Sequence, residues 1–215
     1  PVSAFGGVLV ANRPIDVATA REVDKLFVEV LIAPAFDPEA LTILEGKKNR
    51  ILLRQKEAIN ARWSYRPLLG GVLAQETDRA VETTAEMKCV TQVTPTEAEL
   101  TDLVFATKLV KHSKSNAIVL SKGGQLIASG VGQTSRVDAL KQAIEKARHF
   151  GFDLKGAVLA SDAFFPFDDC VTLAAEAGIT AIAQPGGSVR DADSIAAADR
   201  LGVAMVMTGV RHFKH

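Results

Sequence analysis

Residues 157–207 read AVLASDAFFPFDDCVTLAAEAGITAIAQPGGSVRDADSIAAADRLGVAMVM, and the reading of this stretch decides the fold. Short runs at 157–160, 180–183 and 204–207 are almost wholly apolar, and between them lie longer runs at 169–177 and 191–201. A run of four apolar residues bounded by glycine or proline suits a strand buried on both faces, whereas the longer runs suit amphipathic helices. The order is therefore strand, helix, strand, helix, strand: a βαβαβ unit around a parallel sheet.

The same alternation extends toward the N-terminus. A helix is predicted at 135–150, with Val137, Leu140, Ile144 and Ala147 on its buried face. A hairpin is predicted at 116–120 and 125–129 around Ser121-Lys122-Gly123-Gly124, and before it a helix from Thr96 to about Lys111. Leu100, Leu103, Val104, Thr107 and Val110 stripe that helix, and Thr96 with Glu99 has the spacing of a capping box. Earlier still come strands at 7–10, 31–34, 50–54 and 70–75 and helices at 17–28 and 39–44. The pattern weakens between Lys56 and Pro67, which places a lobe boundary near 65.

Composition excludes several classes. Lys plus Arg and Asp plus Glu both number 25, so no net field draws the chain to nucleic acid or an anionic membrane surface. Apolar residues make up 47%, ordinary for a folded domain. No run approaches the roughly 20 apolar residues of a membrane helix, and no signal peptide opens the chain, so a soluble cytoplasmic protein is expected. Cys89 and Cys170 are far apart with no histidine at ligand spacing, which argues against zinc or a disulfide framework. The start at Pro1, without methionine and already inside a loop-to-strand motif, suggests a fragment of a longer protein.

In an α/β sheet, ligands bind beyond the carboxyl ends of the strands. Three loops there are candidates. Gly130-Val131-Gly132-Gln133-Thr134-Ser135-Arg136 combines glycines, hydroxyls and an arginine at a helix start, materials of an anion site or of an ordinary capped turn. Ser161-Asp162-Ala163-Phe164-Phe165-Pro166-Phe167-Asp168-Asp169 offers rings that either stack on a planar heterocycle or plug the end of the sheet, with Asp168 or Asp169 as helix cap. Gln184-Pro185-Gly186-Gly187-Ser188 opens a helix with backbone N–H groups that either meet a carboxylate or phosphate or close a tight turn. His112 and His149 fall at helix ends, and His212 and His215 in a basic tail that reads as solvated. No Ser-His-Asp arrangement, Walker loop or zinc-deaminase signature is present.

Lys114-Ser115-Asn116-Ala117, Gly132-Gln133-Thr134-Ser135-Arg136, Ser161-Asp162-Ala163-Phe164-Phe165-Pro166-Phe167, Gln184-Pro185-Gly186-Gly187-Ser188, Arg211-His212-Phe213-Lys214-His215 and the opening Ser3-Ala4-Phe5-Gly6-Gly7 resemble, in order, blocks of the AICAR transformylase/IMP cyclohydrolase family. The resemblance implies formyl transfer from 10-formyltetrahydrofolate to the 5-amino group of AICAR, giving FAICAR in purine synthesis. It implies an α/β fold of cytidine-deaminase-like three-layer lobes without zinc, with 1–65 the tail of a truncated first lobe and 66–215 the second. The N-terminal cyclohydrolase domain would be absent from this chain.

Carried over by position, AICAR contacts are expected at Gly6, Glu29, Asn116, Arg136, Phe164 and Arg211, with Glu29 at the end of the first helix. Folate contacts are expected at Val137, Asp169, Ser188 and Val189. A homodimer with the site between subunits is implied, and a potassium ion near Asp162 follows by the same analogy. Family members assign base and oxyanion chemistry to a Lys-His pair upstream of the opening block, so no catalytic residue is expected here. Lys111-His112 stands where the family has no such pair. Asp168 departs from the family's usual arginine, which alters the charge at the folate edge. The alternative function is a non-catalytic AICAR-binding or dimerisation module.

Overall fold

In a computed structural model of the chain, residues 5–57 and 61–214 are described. They form two compact units, Pro1–Thr77 and Asp78–His215. The expected boundary near 65 thus falls inside a strand of the first unit, Trp63–Leu68.

The first unit contains β1 (Phe5–Val10), α1 (Val17–Asp24), β2 (Phe27–Ala33), α2 (Pro38–Glu45) and β3 (Ile51–Arg54). The three strands make a parallel sheet in the order β1-β2-β3. Asp16 starts α1 by accepting the N–H of Thr19 at 2.7 Å. The helix predicted over 17–28 stops at Asp24, and Phe27 begins β2 instead. Phe27-Val28-Glu29-Val30-Leu31-Ile32 is rich in β-branched residues, and two neighbouring strands supply its backbone partners, which outweighs the helical spacing of Val23, Phe27 and Val28. Glu29 therefore sits on a strand rather than at a helix end. The stretch whose pattern weakens also holds a strand: β4 (Trp63–Leu68) pairs antiparallel with β5 (Gly71–Glu76) in a two-stranded ribbon whose residues are all exposed. The strand expected at 70–75 is β5, while β4, exposed throughout, lies in the stretch where none was expected.

The second unit contains β6 (Lys88–Cys89), α3 (Glu97–Lys111), β7 (Ile118–Lys122), β8 (Gln125–Gly130), α4 (Arg136–His149), β9 (Val158–Ser161), α5 (Asp169–Glu176), β10 (Ala181–Gln184), α6 (Asp191–Leu201) and β11 (Ala204–Met207). Its six strands lie in the order β6-β11-β10-β9-β7-β8. β9, β10 and β11 are parallel, with Ala181 opposite both Val158 and Ala204. β7 runs against β8 and β9, and the two-residue β6, which sequence reading missed, runs against β11.

Side-chain alternation divides this sheet into two faces. Val119, Val158, Ala160, Ala181, Ala183, Ala204 and Val206 join Leu103, Ala106 and Val110 of α3 in one core. Ile118, Leu120, Leu159, Ile182 and Met205 face the other way, into a core with residues of α4, α5 and α6. Small residues on the first face let a single helix lie close, while larger ones on the second fill the space under three. This is a three-layer, mixed α/β unit. The capping box at Thr96 and Glu99 is complete in both directions, worth about 1 kcal/mol to the start of α3.

Because β7 is reversed, its start lies at the same edge of the sheet as the ends of β8, β9, β10 and β11. The loops after those four strands, and the segment entering β7, all gather there.

Candidate functional site

Arg136 and Asp162 form the centre of this edge. Arg136 is the first residue of α4, brought there by the Ser135 cap, whose hydroxyl accepts the N–H of Asp138 at 3.1 Å. Its guanidinium turns back under the sheet's end, where Nη2 donates to Asp162 Oδ1 at 2.8 Å and Nε to Ser161 Oγ at 2.9 Å. The arginine is 8% exposed and Asp162 is fully buried, so each charge needs the other in place. Asp162 also ties the edge together through its backbone, donating its N–H to Ala117 and accepting that of His212. Its second carboxylate oxygen, Oδ2, is buried without a hydrogen-bond partner.

Asn116 enters from the segment before β7, and the peptide joining it to Ser115 is cis. Its Nδ2 donates to the carbonyls of Gln133 (3.0 Å) and Thr134 (3.2 Å), and its backbone exchanges two bonds with Gln133. The amide nitrogen thus clamps the glycine loop, leaving Oδ1 outside these bonds. The loop 130–135 is therefore held on both sides. At its root, Gly130 permits no side chain, because a Cβ would lie 1.8 Å from the Ala139 carbonyl oxygen.

The three phenylalanines of the aromatic loop divide between the two roles. Phe165 is fully buried and plugs the core, with its N–H bonded to Gln184 Oε1 at 3.0 Å. Phe164 is half-buried, and the Arg211 guanidinium lies 5.1 Å from its ring centre. Phe167 is exposed, and Arg190 lies 5.0 Å from its ring. A cation thus stands beside the aromatic loop even though residue 168 is acidic, a placement sequence reading did not find. Asp168 is the N-terminal boundary residue of α5 and makes no side-chain capping bond, while Asp169 accepts the N–H of Cys170 at 2.7 Å.

The remaining expected folate residues occupy the same edge. Val137 is partly buried against the core below α4. Ser188 Oγ accepts the N–H of Arg190, and Val189 is wholly exposed. The loop after β10 does not offer all its amides to a ligand: the Gly187 N–H is taken by Asp191 Oδ2 at 2.7 Å. Gln184 is a buried brace, not a surface group.

Gly6 and Glu29 lie in the first unit and are neighbours. A bulge at Gly6 interrupts the pairing of β1 with β2, its φ is +71°, and a Cβ there would stand 3.2 Å from Glu29 Oε2.

Two histidine assignments come out differently. His112 caps the end of α3, as its position predicts; burial and then the charges of Lys214 and Lys111 hold its pKa below the usual imidazole value. Lys111 beside it is engaged, with its Nζ 3.5 Å from Asp78 Oδ1 and bonded to the Ala80 carbonyl. His212, read as a solvated tail residue, is instead 3% exposed, with Nδ1 2.6 Å from Asp78 Oδ2 and Nε2 3.1 Å from Glu82. The acids that bury it are 130 or more residues away in sequence, beyond the reach of any local pattern. His215 lies outside the described residues.

Fold and site together define an α/β protein with a candidate ligand site at the strand ends of a three-layer unit. The profile of the AICARFT/IMPCHase bienzyme family matches residues 1–146, and the chain belongs to that family. It is 62% identical over 215 residues to the bifunctional purine biosynthesis protein PurH of Bacteroides thetaiotaomicron, and 54% identical over 220 residues to that of Acetivibrio thermocellus. All of the chain is matched in both cases, yet it spans only 42% of each relative's length. Among solved structures it partly overlaps a dCMP deaminase from cyanophage S-TIM5, with a TM-score of 0.35 at 19% identity over 46% of this chain and 88% of that one. A diaminohydroxyphosphoribosylaminopyrimidine deaminase/reductase from Thermotoga maritima gives 0.34 at 26% identity over 50% and 34%. Overlaps this slight carry no argument.

Proposed function

We propose that this chain contributes binding surface to the AICAR transformylase site of a bifunctional purine-synthesis enzyme, in which a formyl group passes from 10-formyltetrahydrofolate to the 5-amino group of AICAR. The observation that carries this reading is the pairing of Arg211 with Phe164, 5.1 Å apart, beside Asn116 and the buried Arg136–Asp162 pair. A ring and a guanidinium at one edge can hold a planar heterocycle and an anion or carboxamide oxygen together. Arg136 already donates twice within the protein, so its part is to meet the ligand through Nη1 and to fix the loop around it. Glu29, exposed next to the bulged Gly6, suits ribose hydroxyls.

The acceptor amine is conjugated and weakly nucleophilic, so transfer needs a base and an oxyanion donor. Lys111 does not fill the role, since its side chain is 8% exposed and tied to Asp78 and Ala80. We place the reacting Lys-His pair elsewhere in the parent protein. A potassium ion next to Asp162 would take the unpartnered Oδ2 as a carboxylate ligand. Folate would lie toward Val137, Asp169, Ser188 and Val189, and a second copy of the protein would complete the site.

Calorimetric titration of the 215-residue chain with AICAR should show binding, and a formyl-transfer assay on the same sample should show no turnover. Turnover at the rate of the full-length enzyme would sink the placement of the base, and absence of AICAR binding would remove the site assignment.

A further inference from the structure

The segment after β11 is a strap across the strand-end edge, and its hydrogen bonds trace the path. Thr208 donates its N–H to the carbonyl of Gln184 at the end of β10, and Gly209 to that of Pro185 just beyond it. His212 donates its N–H to the carbonyl of Asp162 beyond β9, and Lys214 exchanges bonds with Ser115 ahead of β7. Adjacent side chains of an extended segment point to opposite sides. Arg211 accordingly lies exposed between the rings of Phe164 and Phe213, at 5.1 and 5.0 Å, while His212 is buried on the other side.

What holds His212 is a clamp of charged groups. Asp78 stands 2.6 Å from Nδ1 and Glu82, itself 4% exposed, 3.1 Å from Nε2. Lys111 supports the clamp from α3 through Asp78 and Ala80. Burial, the largest influence on Asp78, pushes its pKa up, but the bond and charge of His212 and the charge of Lys111 outweigh it and hold the carboxyl below the usual range. A ring gripped at both nitrogens has one orientation, and that sets the register of the strap.

We propose that His212 is a positioning residue for the strand-end site: gripped between Asp78 and Glu82, it fixes the strap so that the guanidinium of Arg211 is presented over Phe164. Only the consequence for AICAR affinity rests on the function proposed above; the positioning of Arg211 does not.

Two readouts on the full 215-residue chain separate them. In NMR spectra the Arg211 Nε–H resonance, assigned by its loss in Arg211→Lys, should be displaced by the two flanking rings. His212→Gln and His212→Ala should return it toward the value of a free arginine while the amide signals of β9 to β11 stay in place. AICAR affinity should fall about tenfold in the same variants, the size expected for losing one well-placed charge-assisted contact. Asp78→Ala, at the more exposed side of the clamp, should move the resonance in the same sense and keeps the test decisive if the His212 variants do not fold. An Arg211 resonance unmoved in folded His212 or Asp78 variants overturns the proposal. Failure of the unaltered chain to bind AICAR, with the resonance still responding, would instead overturn the function reading and leave the positioning role standing.

Discussion

At the level of single residues, burial decides what chemistry a side chain can do. Cys89 is exposed, whereas Cys170 is buried in the first turn of α5, and burial followed by the negative charge of Asp169 pushes its thiol up to about 12. The thiolate is the reactive form, so raising its pKa silences it at neutral pH. Titration of the native chain with a thiol-specific reagent at pH 8 should therefore modify one cysteine quickly, and both in denaturant; rapid loss of two thiols from the native chain would contradict this. His212 teaches the same lesson in reverse. Its neighbours in sequence are arginine, phenylalanine and lysine, which read as a solvated basic tail, yet two distant acids bury it. Arg136 and Asp162 were each visible as candidates, but their pairing, and so the internal use of two of the arginine's nitrogens, depends on β9 and the start of α4 meeting in space.

Elements with one buried face or two were legible where their surroundings are uniform. The βαβαβ stretch, α3 with its capping box, α4 and the β7–β8 hairpin all carry a continuous apolar signal, because one sheet buries them throughout. The errors fell where partners, not propensity, choose the state. Val28 and Glu29 left the helix for β2 because β1 and β3 supply its hydrogen bonds, and β4 escaped notice because the ribbon it forms with β5 is solvated on both faces. At the element scale Gly130 is the sharpest test, since β8 meets α4 there with no room for a methyl group. Gly130→Ala should lower the stability of the chain by roughly 1–3 kcal/mol, as overpacking against a fixed backbone does, and also loosen the loop that carries Asn116's partners. Urea unfolding would measure it; an unchanged midpoint would show that α4 can move aside.

For the molecule as a whole, the unit Asp78–His215 contains both apolar cores of the six-stranded sheet and every strand and helix that packs on them. A domain with its own closed core can fold alone. Residues 78–215 expressed by themselves should therefore unfold cooperatively with native-like far-UV and near-UV dichroism, and loss of the near-UV signal would show that the first unit is required. Periodicity in the sequence determined the α/β class, the βαβαβ order and the edge at which loops collect, because each follows from local propensity and from which residues avoid water. The strap, the His212 clamp, the buried Arg136–Asp162 pair and the division of labour among Phe164, Phe165 and Phe167 were decided only in the tertiary structure. Each joins residues far apart in the chain through hydrogen bonds and ion pairs in a dry interior, and such pairings leave no local periodicity from which they could be read.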